Sequence, residues 1–292
     1  NLMPFVEKLR EGYELVMGNR FKGGIAKGAM PPLHRYLGNP MLSFIGKMFY
    51  KANFNDFYCG LRGFQKEAIV QLQLQSPGMV FAHEMAVKSC LSKLKTTEVP
   101  TTLSPDGRVQ HPPHLRTFSD GWMTLKFLLI HSPNWLFMYP GIFLLLIGIL
   151  LSARLSIGEL QVGTILFSAN TLLYTTALIF IGLQLLFFSI ESKLMSINIG
   201  IHPKTESTMK SINFLSIERG SIIGLILILA GIVASIYAVN FWDSIGFGPI
   251  NGYEYENVLR ITIPAMAGIV CGTQIIFNSF YLSSVMTFSN RK

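Results

Sequence analysis

The sequence predicts an α/β domain followed by an all-α membrane domain of four transmembrane helices. Three observations carry this expectation. Half of the 292 residues are apolar, only 14% are charged and mean hydropathy is +0.42, which is richer in hydrocarbon than a soluble domain tolerates. Four long apolar stretches follow residue 133. The basic excess lies almost wholly before them: residues 1–133 hold 16 basic and 9 acidic side chains, and residues 134–292 hold 8 and 7.

Taken in order, Leu2 to Glu11 has a proline near its start, Leu2, Phe5, Val6 and Leu9 at helical spacing, and Gly12 just past its end, the pattern of a short amphipathic helix. Tyr13 to Met17 reads as a strand. Glycines and prolines break Gly18 to Pro40, which carries Arg20, Lys22, Lys27 and Arg35, so a mobile electropositive loop ending in a short helix is expected. Leu42 to Lys51, Phe64 to Leu74 and Ala82 to Leu94 read as helices, and Thr96 to Thr102 as a short strand ending at Pro100. Thr117 to His131 combines Trp122, Leu125, Phe127, Leu128 and Leu129 with Asp120 and Lys126, the composition of a helix lying among lipid headgroups; an ordinary buried helix is the competing reading. Asn134 to Ala153, Gly163 to Ile190, Gly220 to Trp242 and Ile261 to Phe288 are each long enough to cross ~30 Å of hydrocarbon. The expected organisation is thus residues 1–116, an interfacial helix at 117–133 and a four-helix membrane domain at 134–292.

Charge sets the expected orientation. The connection after the second span carries Lys193, Lys204, Lys210 and Arg219, and the tail ends in Arg291 and Lys292. The connection after the third span holds Asp243, Glu254 and Glu256 with no base before Arg260. By the positive-inside rule the first 133 residues, the middle loop and the C-terminus are expected to be cytoplasmic. The basic excess then suits anionic lipid and phosphorylated ligands, and no nucleic-acid partner is expected. Asn170, Gln184, Gln274 and Asn278 inside the spans are expected to bond between helices. Gly220/Gly224 and Gly268/Gly272 permit close helix approach, within the chain or in a homo-oligomer. Cys59, Cys90 and Cys271 have neither disulfide-framework nor zinc spacing. The chain opens at Asn1 without a signal segment and directly in a helix, so it is expected to begin inside a domain.

Among residues that could carry chemistry, the run G-N-R-F-K-G-G-I-A-K-G at 18–28 lacks the G-K-[ST] ending of a phosphate loop. Its bases on glycine-rich backbone, Arg20 and Lys22, together with Arg35, still suit a site that must neutralise a diphosphate leaving group or a phosphate nucleophile. His83-Glu84 is not a zinc-protease motif, because the second histidine of H-E-x-x-H falls at Val87. His111 and His114 form the nearest histidine pair, in a proline-rich loop.

The run V-M-G-N-R-F, then Arg35, N-D-F-Y-C-G-L-R-G-F, His83-Glu84 and T-E-V-P before an arginine-containing loop resembles the second half of family 2 glycosyltransferases of GT-A type. It is most similar to bacterial relatives of the dolichol-phosphate mannose and glucose synthases. The resemblance covers residues 1 to about 135, and some members carry a four-span anchor. It implies a partial GT-A (Rossmann-like) domain that transfers a hexose, with inversion, from a nucleotide-sugar donor to a polyprenyl phosphate acceptor at a bacterial inner (plasma) membrane. Arg20, Arg35, Asp56 and Glu84 match catalytic positions, with Glu84 where relatives acting on hydroxyls place an acidic base. Lys22, Cys59, Gly60 and Arg62 match substrate-binding positions. Either Arg108 or Arg116 matches the base of the loop that closes on the acceptor phosphate. The family's divalent cation (Mg2+ or Mn2+) is implied for the full-length enzyme, its D-x-D ligands being expected upstream of Asn1, so this chain alone is expected to be inactive. Two alternatives stay open: a processive glycan synthase, which resembles a Q-x-x-R-W pattern absent here, and a non-catalytic flippase or scaffold subunit for lipid-linked sugars.

Overall fold

The computed structural model describes residues 2–105, 107, 117–206, 209, 216–244, 246–250 and 253–289. The chain divides into two compact units, Asn1–Ser132 with Ile199–Pro203, and Pro133–Asn198 with Lys204–Lys292.

The first unit is α/β. Helix α1 (Met3–Arg10) ends where Gly12 takes φ +87°, a left-handed conformation that a side chain would strain. Strand β1 (Leu15–Asn19) follows, two residues later than the sequence reading placed it, and is buried along its whole length. It is the middle strand of a mixed sheet, antiparallel to β2 (Arg62–Phe64) and parallel to β3 (Thr96–Pro100). Both faces of β1 are covered, as expected for a strand with helices or chain on either side. Leu15 and Met17 join Tyr50, Phe54, Phe57, Met85, Val87 and Leu128 on one face, while Val16 meets Phe5 and Val99 on the other. This alternation is the period of two of a strand.

Beyond β1 come a single turn α2 (Arg20–Gly23), a five-residue π turn His34–Gly38 and α3 (Asn39–Tyr50), the last two continuous. The helix expected from Phe64 is instead the end of β2 followed by α4 (Lys66–Gln71). The cause is tertiary: residues 62–64 pair with β1, Gly63 opposite Val16, and Gly63 packs closely enough that a Cβ would stand 3.3 Å from Phe5 and Leu9. Helix α5 is Met79–Leu91. Helix α6 (Thr117–Ile130) buries Thr124, Phe127 and Leu128 in the main core and accepts the Tyr50 hydroxyl on Leu128 O at 2.7 Å, while Phe118, Trp122, Met123 and Ile130 stay exposed.

The second unit is helical: a π turn Asn134–Met138 into α7 (Tyr139–Ile157), a hairpin of β4 (Leu160–Val162) and β5 (Ile165–Phe167), then α8 (Ala169–Asn198), α9 (Ile217–Ser244) and α10 (Tyr253–Ser289). Among the described residues four helices are long and apolar enough to cross a membrane: Asn134–Ile157, Ala169–Asn198, Ile217–Ser244 and Glu254–Thr287. The second begins after the hairpin, later than Gly163. Helix α7 packs on α8, α9 on α10, and α10 also on α8. Glycines set the close approach, for a Cβ on Gly224 would fall 2.5 Å from Gly272 O, and one on Gly182 2.5 Å from Leu145 N. Both G-x-x-x-G pairs are therefore used inside the chain. Between α7 and α8, Ser152 Oγ donates to Thr175 Oγ1 at 2.9 Å. Asn278, expected to bond across helices, donates instead to Gln274 O of its own helix at 2.7 Å.

Candidate functional site

The candidate site grows from the carboxyl ends of the parallel pair β1 and β3, the side of an α/β sheet where ligands commonly bind. Asn19, the last residue of β1, is 1% exposed and caps α2 by accepting the Lys22 N–H on Oδ1 at 2.9 Å. A parallel bridge between Ile25 and Leu103 extends the pairing past the strands. This geometry puts Arg20 and Lys22 on the turn leaving the sheet.

Arg20 is held in a fork. Its Nε and Nη2 donate to Asp56 Oδ2 and Oδ1, both at 2.8 Å, and its backbone N–H donates to Oδ2 at 3.1 Å. Asp56 is fully buried and also accepts the Tyr58 N–H, whereas the Arg20 side chain keeps 14% exposure. Burial alone would lower the Arg20 pKa, yet the hydrogen bonds and charge of Asp56 raise it. The second edge of the guanidinium, Nη1, donates to no described residue.

Beside this pair lies a node that sequence reasoning missed. Glu98 on β3 accepts from Asn19 Nδ2 at 2.9 Å, from Asn55 N and Nδ2 at 2.7 and 2.9 Å, and pairs with Lys22 Nζ at 2.5 Å. Burial would push its pKa up, but the bonds from Lys22, Asn55 and Asn19 hold it below the ordinary carboxylate range. Glu98 stood inside the T-E-V-P run. What makes it central is the register that sets Met17 opposite Glu98, which no local spacing reveals.

Cys59 is buried under the same floor, where burial raises its thiol pKa. It faces Gly18: a Cβ there would stand 2.6 Å from both Cys59 Sγ and Thr101 Oγ1. Gly60 has open space around its Cα. Arg62 turns inward, donating to the carbonyls of Cys59, Phe57 and Ala82, and burial lowers its pKa to about 10. Its hydrogen bonds tie loop 57–59 to α5, which is framework work.

Glu84 is likewise committed elsewhere. It accepts the backbone N–H groups of Gln75 and Ser76 and pairs with Lys88 at 2.9 Å, and Lys88 donates to Leu72 O and Gln73 O. Burial acts to raise its pKa, and these partners together lower it. Both residues are at most 4% exposed, and the pair anchors loop 72–76. Arg35 sits half-buried on the π turn over the Tyr36 ring, 5.4 Å from its centre. The cluster thus unites Arg20, Lys22, Asp56 and Cys59 and adds Asn19, Asn55 and Glu98; Glu84 belongs to a separate network. Arg108 and Arg116, like His111 and His114, lie outside the described residues. No group of three or more His, Cys, Asp or Glu side chains among the described residues could hold a metal ion.

Residues 190–286 match the glycosyltransferase family 2 C-terminal transmembrane region. The chain is 32% identical over 275 residues to the low-salt glycan biosynthesis hexosyltransferase Agl6 of Haloferax volcanii, a match covering 93% of this chain and 63% of that protein. It is 36% identical over 100 residues to the glycosyltransferase AglJ of the same organism, covering 34% of this chain and 32% of AglJ. The chain thus spans less than two thirds of either relative.

Proposed function

The chain belongs to the family 2 membrane glycosyltransferases, and on that premise we propose that the complete protein transfers a hexose from a nucleotide-sugar to a polyprenyl phosphate at the cytoplasmic face of its membrane. The acceptor monoester has a second pKa of about 6 and is largely dianionic at neutral pH, so it needs no base to become a nucleophile. One of its oxygens bonds to the anomeric carbon as the bond to the nucleotide diphosphate breaks on the opposite face, which inverts that carbon. The negative charge shifts from acceptor to leaving group, and the protein's part is to hold cations where it gathers.

The single observation that carries this reading is the Arg20–Asp56 fork at the end of the sheet, which fixes a guanidinium with one edge unengaged by any described residue. Lys22 and Arg35 supply further positive charge, and either Arg108 or Arg116 would close on the acceptor. Asp56 and Glu98 both act as acceptors of internal bonds, which favours a substrate already carrying its own negative charge. Cys59 and Gly60 form floor, and Arg62 and Glu84 are framework. The divalent cation that the resemblance implies is part of this proposal for the complete protein only; among the described residues no group of three or more His, Cys, Asp or Glu side chains could hold it. The basic residues of the first 133 positions, of the loop after the second span and of the tail support the cytoplasmic side. The bacterial placement has no comparable support, since both relatives are archaeal.

The test is transfer by the full-length protein in nanodiscs, from radiolabelled nucleotide-sugar to polyprenyl phosphate. Transfer is expected from the wild type, and Arg35→Ala should lower it by orders of magnitude with the unfolding midpoint unchanged. Near-normal turnover by that variant removes Arg35 from the site.

A further inference from the structure

The two bases that leave the end of β1 are held in unlike ways. Arg20 meets Asp56 through a two-pronged fork, and their side chains are withdrawn from water, at 14% and 0% exposure. Lys22 meets Glu98 through its ammonium alone; its own side chain is 57% exposed and that of Glu98 only 9%. The backbone carrying both bases has little freedom. Asn19 caps the turn at Lys22 N, Thr102 Oγ1 donates to Gly23 O at 3.0 Å, and a Cβ on Gly23 would run into the backbone of Thr101. Motion at this edge therefore belongs to the Lys22 stem, a flexible chain that ends in a point charge, where Arg20 presents a fixed plane.

Glu98 is built so that it can lose this one partner. A carboxylate accepts at about four positions, and Asn55 N, Asn55 Nδ2, Asn19 Nδ2 and Lys22 Nζ all donate here. The first three are tied down: Asn19 is buried at the strand end, and Asn55 accepts Lys47 Nζ on Oδ1 at 2.6 Å. When Lys22 swings away, Glu98 keeps three N–H partners and stays a satisfied carboxylate. Asp56, fully buried, has no such margin, because without the fork it keeps two backbone N–H groups, those of Arg20 and Tyr58. An ion pair exposed on its lysine side contributes little to stability, so it exchanges readily.

We infer that Glu98 is a positioning residue that holds Lys22 and yields it to a phosphoryl oxyanion, so that this internal pair sets how tightly the site takes a phosphate or diphosphate group. Arg20 and Lys22 face Asp56 and Glu98, and the four side chains carry no net charge between them. A phosphoryl group with two negative charges outbids Glu98, whose single charge is shared among four donors. Arg20 stands two residues away on the same turn with Nη1 bonded to no described residue, so one ligand can accept from both bases. The inference rests on the proposed function for the class of ligand and adds to it an internal competitor for the same cation.

A binding cycle tests it, run by isothermal titration calorimetry on the full-length protein in nanodiscs. Inorganic pyrophosphate stands for the leaving group and butyl phosphate for the acceptor headgroup. Glu98→Gln frees Lys22 and should tighten binding about two- to fivefold, and Lys22→Met should weaken it about tenfold or more. The double variant should match Lys22→Met, because a freed lysine is all that the glutamine supplies. Tightening by the same factor with and without Lys22 overturns the inference, since it reports only the removal of a nearby negative charge. Weaker binding of both anions by a Glu98→Gln protein with an unchanged unfolding midpoint overturns it too. A cycle completed with pyrophosphate alone supports it and assigns Lys22 to the leaving group; one completed with butyl phosphate alone supports it and assigns Lys22 to the acceptor. If Glu98→Gln fails to fold, the wild type still decides. After reductive methylation with isotope-labelled methyl groups, the lysine resonance that Lys22→Met lacks should shift when the anion is added, and a resonance that stays in place overturns the inference, as does a wild type that binds neither anion. A completed cycle in a protein that transfers no hexose to polyprenyl phosphate counts against the proposed function alone. A failed cycle in a protein that does transfer counts against the role of Glu98 alone.

Discussion

Removing one partner of the Arg20–Asp56 pair should damage the fold and the site by different amounts. Asp56 has no exposure and takes three bonds of 2.8, 2.8 and 3.1 Å from Arg20. In Arg20→Met the two side-chain bonds disappear and a buried carboxylate is left without its cation, a loss of about 3–5 kcal/mol for pairs of this kind. That is a large share of a total stability of about 5–15 kcal/mol. Asp56→Asn leaves behind a guanidinium that keeps 14% exposure and can turn toward water, so it should cost less, about 2 kcal/mol. The double variant Arg20→Met/Asp56→Leu removes both charges at similar volume and should lie within about 1–2 kcal/mol of the wild type. Unfolding midpoints of the full-length protein in detergent give the three values and the coupling energy, expected to exceed about 2 kcal/mol. Transfer should be lost in all three, including the variant whose stability returns. Single-variant losses that are below about 1 kcal/mol and simply add would refute a buried, coupled pair. Transfer restored along with stability would show that Arg20 supports only the fold.

Further predictions concern the framework. His83 is 6% exposed, its Nδ1 has no partner among the described residues, and burial with the Arg62 charge lowers its pKa to about 4. The unfolded chain binds that proton near pH 6.5, so stability should fall as pH drops from about 6.5 to 4, by up to about 3 kcal/mol; His83→Phe should flatten this dependence in pH-resolved unfolding, and an unchanged profile would contradict it. Gly18→Ala should cost about 1–3 kcal/mol by driving a Cβ onto Cys59 and Thr101, with part of the loss recovered on adding Cys59→Ala. Gly272→Val should separate α9 from α10, since even a Cβ would fall 2.4 Å from Gly224 O; a midpoint drop in detergent without a change in oligomer size is the expected sign that the glycine face is internal.

Where physical signals in the sequence are local and large, the structure follows them. Four spans could be read because long runs of mostly apolar residues leave few other options, and β1 because a short apolar run bounded by turns is a strand covered on both faces. The β2 strand could not, since three residues carry no period and only pairing with β1 orders them. Helix α3 is instructive in another way. Its period was legible, but period alone does not say which face turns inward, and here Ser43, Gly46 and Tyr50 do while Met41, Phe44 and Met48 do not. In the site, Arg20, Lys22, Asp56 and Cys59 were legible as motif residues. Glu98 became legible only through strand register, and Glu84 changed character because loop 72–76 folds back onto its carboxylate.

The most direct test is the chemical identity of the lipid product. Full-length protein in nanodiscs would be given a nucleotide-hexose, polyprenyl phosphate and, in a separate reaction, a polyprenyl-linked glycan with free hydroxyls, and the extracted lipids weighed by mass spectrometry. A lipid gaining one hexose on its phosphate, in the first reaction alone, is the outcome expected of a site built from cations with its carboxylates tied up. Hexose appearing only on a glycan hydroxyl would mean that a base operates there which Asp56, Glu84 and Glu98, as they are bonded here, do not provide.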